Sequence, residues 1–255
     1  MELGLVGKHC FATGASAGIG RATALALAAE GALLSIAGRD EGALMATRDM
    51  VMARGASVVR IITCDLSHLA GIEIAAAAIS QSEHPVDVLV NNAGGGRPYD
   101  LDAPLETEAW EEAIRLNFTA ARRLTESALP AMRRARWGRI ITITGSLALK
   151  RMNAATPAKA AITSWSRALS IQVAADGITV NCVAPGRINS AQVRNRLFPT
   201  EDSRRREIEL NVPAGRFGEP EEIAAVITFI ASVPASYITG AMIPVDGGFL
   251  RLDLK

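Results

Sequence analysis

Cysteine and histidine are scarce: the 255 residues hold three of each, widely separated. Cys10, Cys64 and Cys182 sit in or beside apolar runs and show no metal-ligand spacing, which argues against a disulfide framework or a structural zinc site and for buried free thiols. His9, His68 and His84 form no cluster, so no metal site is expected. Aromatic residues reach only 4%, and tyrosine is reduced to Tyr99 and Tyr237. An excess of charge is missing too: 27 Lys and Arg against 26 Asp and Glu leave +1, which excludes nucleic acid or an anionic membrane as the main partner. No apolar run is long enough to span a bilayer, and no basic segment followed by an apolar stretch opens the sequence. The expectation is a cytoplasmic protein with no membrane partner. Low-complexity segments, internal repeats and linkers are absent as well, which leaves one domain over 1–255.

What is present is apolar: 49% of residues are hydrophobic, a composition suited to a buried parallel sheet under Ala- and Leu-rich helices. Short β-type runs occur at 8–13, 33–37, 58–64, 86–90, 139–144, 178–183 and 241–245. Between them fall helical patterns ending near Gly31, then at 41–54, 69–82, 105–134, 153–175 and 219–232. Pro157 must sit in the first turn of its helix, where a missing N–H costs little. The alternation predicts βαβ units: an α/β fold with a doubly wound parallel sheet of about seven strands and helices on both faces. Residues 187–217 are the most polar and irregular part and are expected to cover a substrate.

The first strand runs into Thr13-Gly14-Ala15-Ser16-Ala17-Gly18-Ile19-Gly20, and helix formers follow. A strand, a glycine turn and a helix N-terminus offer main-chain N–H groups and a helix dipole to a phosphate, and the missing Cβ atoms let it approach. Gly14, Ser16, Gly18, Ile19 and Gly20 are therefore candidate coenzyme contacts.

Taken together, several motifs carry a family likeness. They are Thr13-Gly-x-x-x-Gly18-Ile19-Gly20, Asp65 after the third strand, Asn91-Asn92-Ala93-Gly94 after the fourth, Asn117, Lys159, Pro185-Gly186 and Asp246-Gly247-Gly248. In this order the sequence resembles the short-chain dehydrogenase/reductase family, in its 3-oxoacyl-(acyl-carrier-protein)-reductase-like branch, over nearly its whole length. The resemblance implies a Rossmann-type fold and an NAD(P)-dependent oxidoreductase acting on a small carbonyl or alcohol substrate. It places Asp65 and Leu66 by the adenine, and Asn91, Ala93 and Gly94 by the adenosine ribose. Pro185, Gly186 and Ile188 border the nicotinamide, and Ser190 stands by the carboxamide. It also implies a homo-oligomer, dimer or tetramer, with helices in 105–134 and 153–175 as the candidate interface.

Coenzyme choice follows from charge. NAD-selective sites end the second strand in a carboxylate that holds the ribose hydroxyls. Here Gly38 is followed by Arg39, whose guanidinium can pair with a 2′-phosphate, so NADP(H) is favoured over NAD(H). The alternative is a surface arginine paired with Asp40.

The likeness breaks at the proton donor. Ketone-reducing members use Ser, Tyr and Lys with an Asn behind them, the Tyr four residues before the Lys. Lys159 is present, but Ala155 stands where the tyrosine is expected. The serine position aligns near Gly145, so Ser146 serves only if the loop shifts. Three readings stay open. In the first, the protein is a reductase with an altered donor: a water held by Lys159 and Asn117, or a relay through Ser146 or Thr156. In the second, it is a catalytically disabled nucleotide-binding or regulatory protein. In the third, Tyr99 swings in, although an ordinary loop aromatic is the plainer reading. Lys159 itself reads either as a coenzyme-binding, proton-tuning ammonium or as a solvated helix lysine. Asn117 reads either as a catalytic group or as one closing a hydrogen bond at a helix irregularity. Arg194, Arg196, Arg204, Arg205 and Arg206 read as a lid for an anionic substrate or acyl carrier, or as a solvated face balanced by Glu201, Asp202, Glu207 and Glu209.

Overall fold

The computed structural model describes residues 1–54, 59–145, 152–191 and 193–249, with the side chain of Arg196 also outside what is described. The candidate Ser146 lies outside the described residues, as does Val58 at the start of the third expected strand.

Seven strands form one parallel sheet, in the order β3-β2-β1-β4-β5-β6-β7. They are β1 His9–Thr13, β2 Leu33–Gly38, β3 Val59–Thr63, β4 Val88–Asn91, β5 Gly138–Ile143, β6 Ile178–Pro185 and β7 Met242–Val245. The order runs outward from β1 to β3 on one side and from β4 to β7 on the other. The order of winding therefore reverses between the parallel strands β1 and β4, and a crevice opens there at the carboxyl ends of the strands.

Alternation along each strand sorts the core into two layers. Cys10, Ala12, Val88 and Val90 face one layer with Leu34, Ile36 and Val183. Helices α1 Gly18–Ala29, α2 Glu41–Met52 and α8 Pro220–Ala231 cover it, with Leu27, Leu44 and Ile227 fully buried. Phe11, Leu89 and Ile140 face the other layer, under α3 Leu69–Ser80, α5 Ala120–Ala135 and α6 Ala155–Val173. Pro157 falls in the first turn of α6, as its missing N–H requires.

Two expectations need correction. The helical pattern at 105–134 is not one α-helix. It is α4 Thr107–Ile114, a π-helical turn Arg115–Thr119, and α5. Such a turn inserts a residue into the ladder and is common near functional sites. The covering segment is also more ordered than its polarity implies: it holds the helix α7 Glu201–Asn211, started by a reciprocal cap between Thr200 and Ser203. No residue of α7 is fully buried, so it shows no apolar stripe to read.

Candidate active site

A cleft of about 620 Å³ opens over the carboxyl ends of the strands. Its floor starts at the first turn. Gly14 (φ +64°) and Gly18 (φ +52°) take the left-handed backbone that an L side chain resists. The Asn92 amide donates to the carbonyls of Thr13 (2.9 Å) and Gly14 (3.2 Å), and the Thr13 hydroxyl accepts from the N–H of Asn92 and Ala93. The turn after β1 is thereby tied to the end of β4. Arg21 braces its other side, donating to the Thr47 hydroxyl (3.0 Å) and to the Ser16 carbonyl. Helix α1 then opens on Ala17 with no side-chain cap and no acidic residue in its first turn. Ala17, Gly18 and Ile19 line the cleft, so open N–H groups and the positive end of a helix dipole are offered to an anion.

At one end the rim carries a cation. Arg39, exposed after β2, lines the cleft and makes no ion pair among the described residues. Asp40 is committed elsewhere: its carboxylate accepts from Ala43 N–H (2.9 Å) as the cap of α2. Opposite stands Asp65. Partial burial pushes its carboxyl up, but two hydrogen bonds from Ser67 and the nearby Arg39 charge outweigh that and hold it below the usual range. Leu66 and Cys64 complete this end, and burial pushes the Cys64 thiol up to about 11, so it stays protonated.

At the other end lie Pro185, Gly186, Ile188 and Ser190, the last accepting from Val193 N–H (3.3 Å). Arg187 lies over the rings of Phe198 and Phe249 and bonds Glu207 of α7 at 2.7 Å. Phe249 brings the C-terminal segment to the cleft wall. Lys159 reaches in from the second turn of α6 and donates to the Thr144 carbonyl at 2.6 Å. Desolvation pulls its ammonium down to about 8, because a charged group in a half-dry wall loses hydration that one carbonyl does not replace. Ala155 and Thr156 line the wall beside it, so no phenol projects there from α6.

Fourteen of the sixteen expected coenzyme residues border this cleft. The other two do not, for packing reasons. Asn91 continues the alternation of Leu89 and turns its side chain under α5, where its amide donates to the Thr125 hydroxyl (3.2 Å). Its neighbour Asn92 lines the cleft instead. Gly20 is buried in the joint between α1 and the turn: a Cβ there would stand 2.2 Å from the Gly14 carbonyl oxygen. It lets helix and strand approach and touches no open space.

Asn117 takes the other of the two roles read for it, closing main-chain hydrogen bonds at a helix irregularity. It lies inside the π-helical turn, where its Oδ1 accepts from Gly95 N–H (3.2 Å) and its Nδ2 donates to the carbonyls of Gly95 and Ala113. Its side chain is spent on main chain and does not line the cleft. Tyr99 packs edge-on against Trp110, with centroids 5.5 Å apart, and is not a lining residue. The lid arginines are held locally as well: Arg194 by Asn189, Arg204 by the Phe198 and Pro199 carbonyls, Arg205 by Asp202.

Sequence reasoning passed over Asn153, Arg187 and Phe249 as lining residues. Arg187 follows Pro185-Gly186 directly, a signal that was available. Phe249 carried none beyond its place after Asp246-Gly247-Gly248.

Residues 14–250 match the family model described as Enoyl-(Acyl carrier protein) reductase. The 3-oxoacyl-[acyl-carrier-protein] reductase FabG of Escherichia coli is 39% identical over 246 residues, which cover 95% of this chain and 97% of that protein. L-sorbose reductase from Gluconobacter frateurii, solved with NADPH and L-sorbose, superposes with a TM-score of 0.91 at 30% identity, over 98% of this chain and 99% of that one. The RhlG/NADP active-site complex of Pseudomonas aeruginosa gives 0.88 at 33% identity, over 97% and 98%.

Proposed function

The chain belongs to the short-chain dehydrogenase/reductase family, and from that premise we propose that it is an NADP(H)-dependent oxidoreductase acting on a small carbonyl or alcohol substrate, with an altered proton donor. The observation that carries this reading is a single cleft running from Arg39, past the uncapped start of α1, to Lys159. The glycine turn fits a pyrophosphate, because Gly18 lines the cleft in open space, where a Cβ would meet only the Ser190 side chain at 3.7 Å. Arg39, with Ser16 beside it, is the seat for a 2′-phosphate. Asp65 and Leu66 border the adenine, Ala93 and Gly94 the ribose, and Pro185, Gly186, Ile188 and Ser190 the nicotinamide. When bound, the coenzyme supplies a hydride. The protein's own work is to orient that ring against the substrate, exclude water with Val193, Leu197 and Phe249, and hold a proton source at Lys159. With Ala155 in place of a phenol, that source is water hydrogen-bonded to the Lys159 ammonium. The cytoplasmic location, single-domain organisation and homo-oligomeric state (dimer or tetramer) belong to the same proposal. Sedimentation of the purified chain tests the last. Among the described residues no helix is long and apolar enough to cross a membrane.

The test follows NADPH absorbance with a panel: a 3-oxoacyl thioester, a ketose, and simple ketones and aldehydes. Turnover on any member supports the enzyme. NADPH binding without turnover points to the disabled reading, for which the buried Ala155 is the specific support. Absence of binding refutes both.

The coenzyme preference has its own expected result. Arg39→Ala removes a charge-assisted contact worth roughly 1.5–3 kcal/mol, about ten- to hundredfold in affinity for NADPH. NADH affinity should stay within about twofold, since no phosphate meets Arg39 there. Calorimetric titration of both coenzymes decides it; equal losses for the two would remove Arg39 from the site.

A further inference from the structure

The wall beside Ala155 contains an amide whose orientation is fixed by the main chain. Residues 97–99 lie against 152–154 as a short antiparallel clasp. Ala154 N–H donates to the Arg97 carbonyl (3.1 Å), Tyr99 N–H to the Met152 carbonyl (3.2 Å), and Pro98 bridges Asn153. Within the clasp the Asn153 side-chain oxygen accepts two N–H bonds, from Arg97 (2.9 Å) and Ala155 (3.0 Å). Two N–H donors demand an oxygen, so the amide cannot be flipped. Its Nδ2 therefore points the other way. That nitrogen carries two protons and has no hydrogen-bond partner among the described residues. Asn153 lines the cleft with Ala155, Thr156 and Lys159. Gly96 gives the amide its room: a Cβ there would come within 3.0 Å of Nδ2.

We propose that Asn153 Nδ2 is the hydrogen-bond donor to the substrate's carbonyl oxygen, or to the alcohol oxygen in the reverse direction. The proposal rests on the oxidoreductase reading above. As the carbon–oxygen π pair moves onto oxygen, negative charge grows where Nδ2 already points. A donor held in place by two other bonds needs no reorganisation to meet it. The carbon gains its electron pair as hydride from the bound coenzyme. The oxygen gains its proton from water at the Lys159 ammonium, and that ammonium recovers its proton from solvent. Asn153 keeps both of its protons throughout. It therefore stabilises charge without acting as the acid, and it supplies the contact that a phenol at position 155 is expected to make.

The test is Asn153→Asp, with Gly96→Ala as the second variant. Asn153→Asp keeps an oxygen for the Arg97 and Ala155 N–H groups, so the clasp survives, but it removes the donor. With the panel member that turns over, kcat is expected to fall by about 10²-fold, the usual size of one lost oxyanion donor. NADPH affinity should stay within about twofold. A second readout is free of turnover: calorimetric binding of an alcohol product to the NADPH complex. The probe is 3-hydroxybutanoyl N-acetylcysteamine thioester, or a hexitol where the ketose is the one reduced. Its affinity is expected to fall by about tenfold in Asn153→Asp, the worth of roughly one hydrogen bond. The melting temperature should stay within about 2–4 °C of wild type, because both N–H groups keep their acceptor, whereas a merely structural lesion lowers it further. Gly96→Ala crowds Nδ2 and should lower the same two quantities by a smaller factor, which decides the matter if Asn153→Asp does not fold. Wild-type turnover with both variants unchanged overturns the proposal. A wild type that binds NADPH but neither reduces the panel nor binds the alcohols defeats the oxidoreductase reading, and Asn153 falls with it; that failure is seen without any variant.

Discussion

Lys159→Met is expected to lower kcat/KM by about 10²- to 10³-fold, within the range for loss of a positioned proton-handling group. The same variant should melt higher than wild type at pH 7. Both effects come from one fact. The ammonium sits in the cleft wall with the Thr144 carbonyl as its hydrogen-bond acceptor, and desolvation brings it from 10.5 to about 8. Below pH 8 the folded protein carries a charge it would shed more readily than the unfolded chain does. From about 8 to 10.5 the unfolded chain holds that proton and the folded one has released it. Stability contributed by this group therefore rises with pH across that window. The apolar replacement escapes the penalty, so its melting advantage should be full at pH 7 and fade between pH 8 and 10.5. Activity runs the other way: kcat/KM of wild type should fall as pH rises through about 8, and the inflection should be missing from the variant. Scanning calorimetry of the coenzyme-free protein and a pH–rate profile measure the two halves. A variant that melts lower at pH 7 would show that contacts of the lysine stem, not desolvation of its head, dominate its energetics.

The sheet was legible because its five inner strands, buried on both faces, write mostly apolar runs, while the half-exposed edge strands β3 and β7 still show short β-type runs. All seven expected runs correspond to strands, including the short Met242–Val245. The helix boundary at Gly31 was legible locally: the glycine takes a left-handed turn past the last helical residues. What failed was whatever depended on a partner distant in sequence. The π-helical turn at Arg115–Thr119 has no periodic signature; within it the Asn117 side chain bonds the main chain of Gly95, 22 positions earlier. The choice between Asn91 and Asn92 could have been made by counting alternation from Leu89, but motif resemblance favoured the first of the pair. Gly20 looked like a ligand contact because it stands in the motif; only the distance to Gly14 reveals a packing glycine. In the sequence alone Asn153 marks only the start of a helical pattern. Its oxygen does cap the Ala155 N–H, but its exposed nitrogen depends on Arg97, fifty-six positions earlier.

Gly20→Ala should cripple the nucleotide end of the molecule, and it isolates the packing role from the conformational one. Gly20 is helical, so nothing in its backbone asks for glycine, and alanine by itself favours a helix by about 1 kcal/mol. The objection is steric. The new methyl would lie 2.2 Å from the Gly14 oxygen, 2.7 Å from the Gly14 carbonyl carbon and 2.6 Å from Asn92 Nδ2. None of these is the loose end of a long side chain. The Gly14 oxygen and the Asn92 amide belong to the bonds that tie the turn after β1 to the end of β4. To admit the methyl, α1 must lift off the turn or that tie must break. Overpacking of this kind costs about 1–3 kcal/mol, more than the propensity returns. The displaced helix start also carries away the N–H groups offered to the pyrophosphate, so NADPH affinity should drop by at least about tenfold, one lost charge-assisted contact. Gly42→Ala is the control. Gly42 is also helical, in the first turn of α2, and its nearest neighbour, the Asp40 carboxylate, is 3.5 Å from the new methyl. There the same substitution should be neutral or stabilising by up to about 1 kcal/mol, with coenzyme binding untouched. Urea unfolding and calorimetric titration of the two variants side by side make the comparison. A Gly20→Ala protein as stable as Gly42→Ala and equally tight for NADPH would mean that α1 does not rest on the Gly14 turn as described.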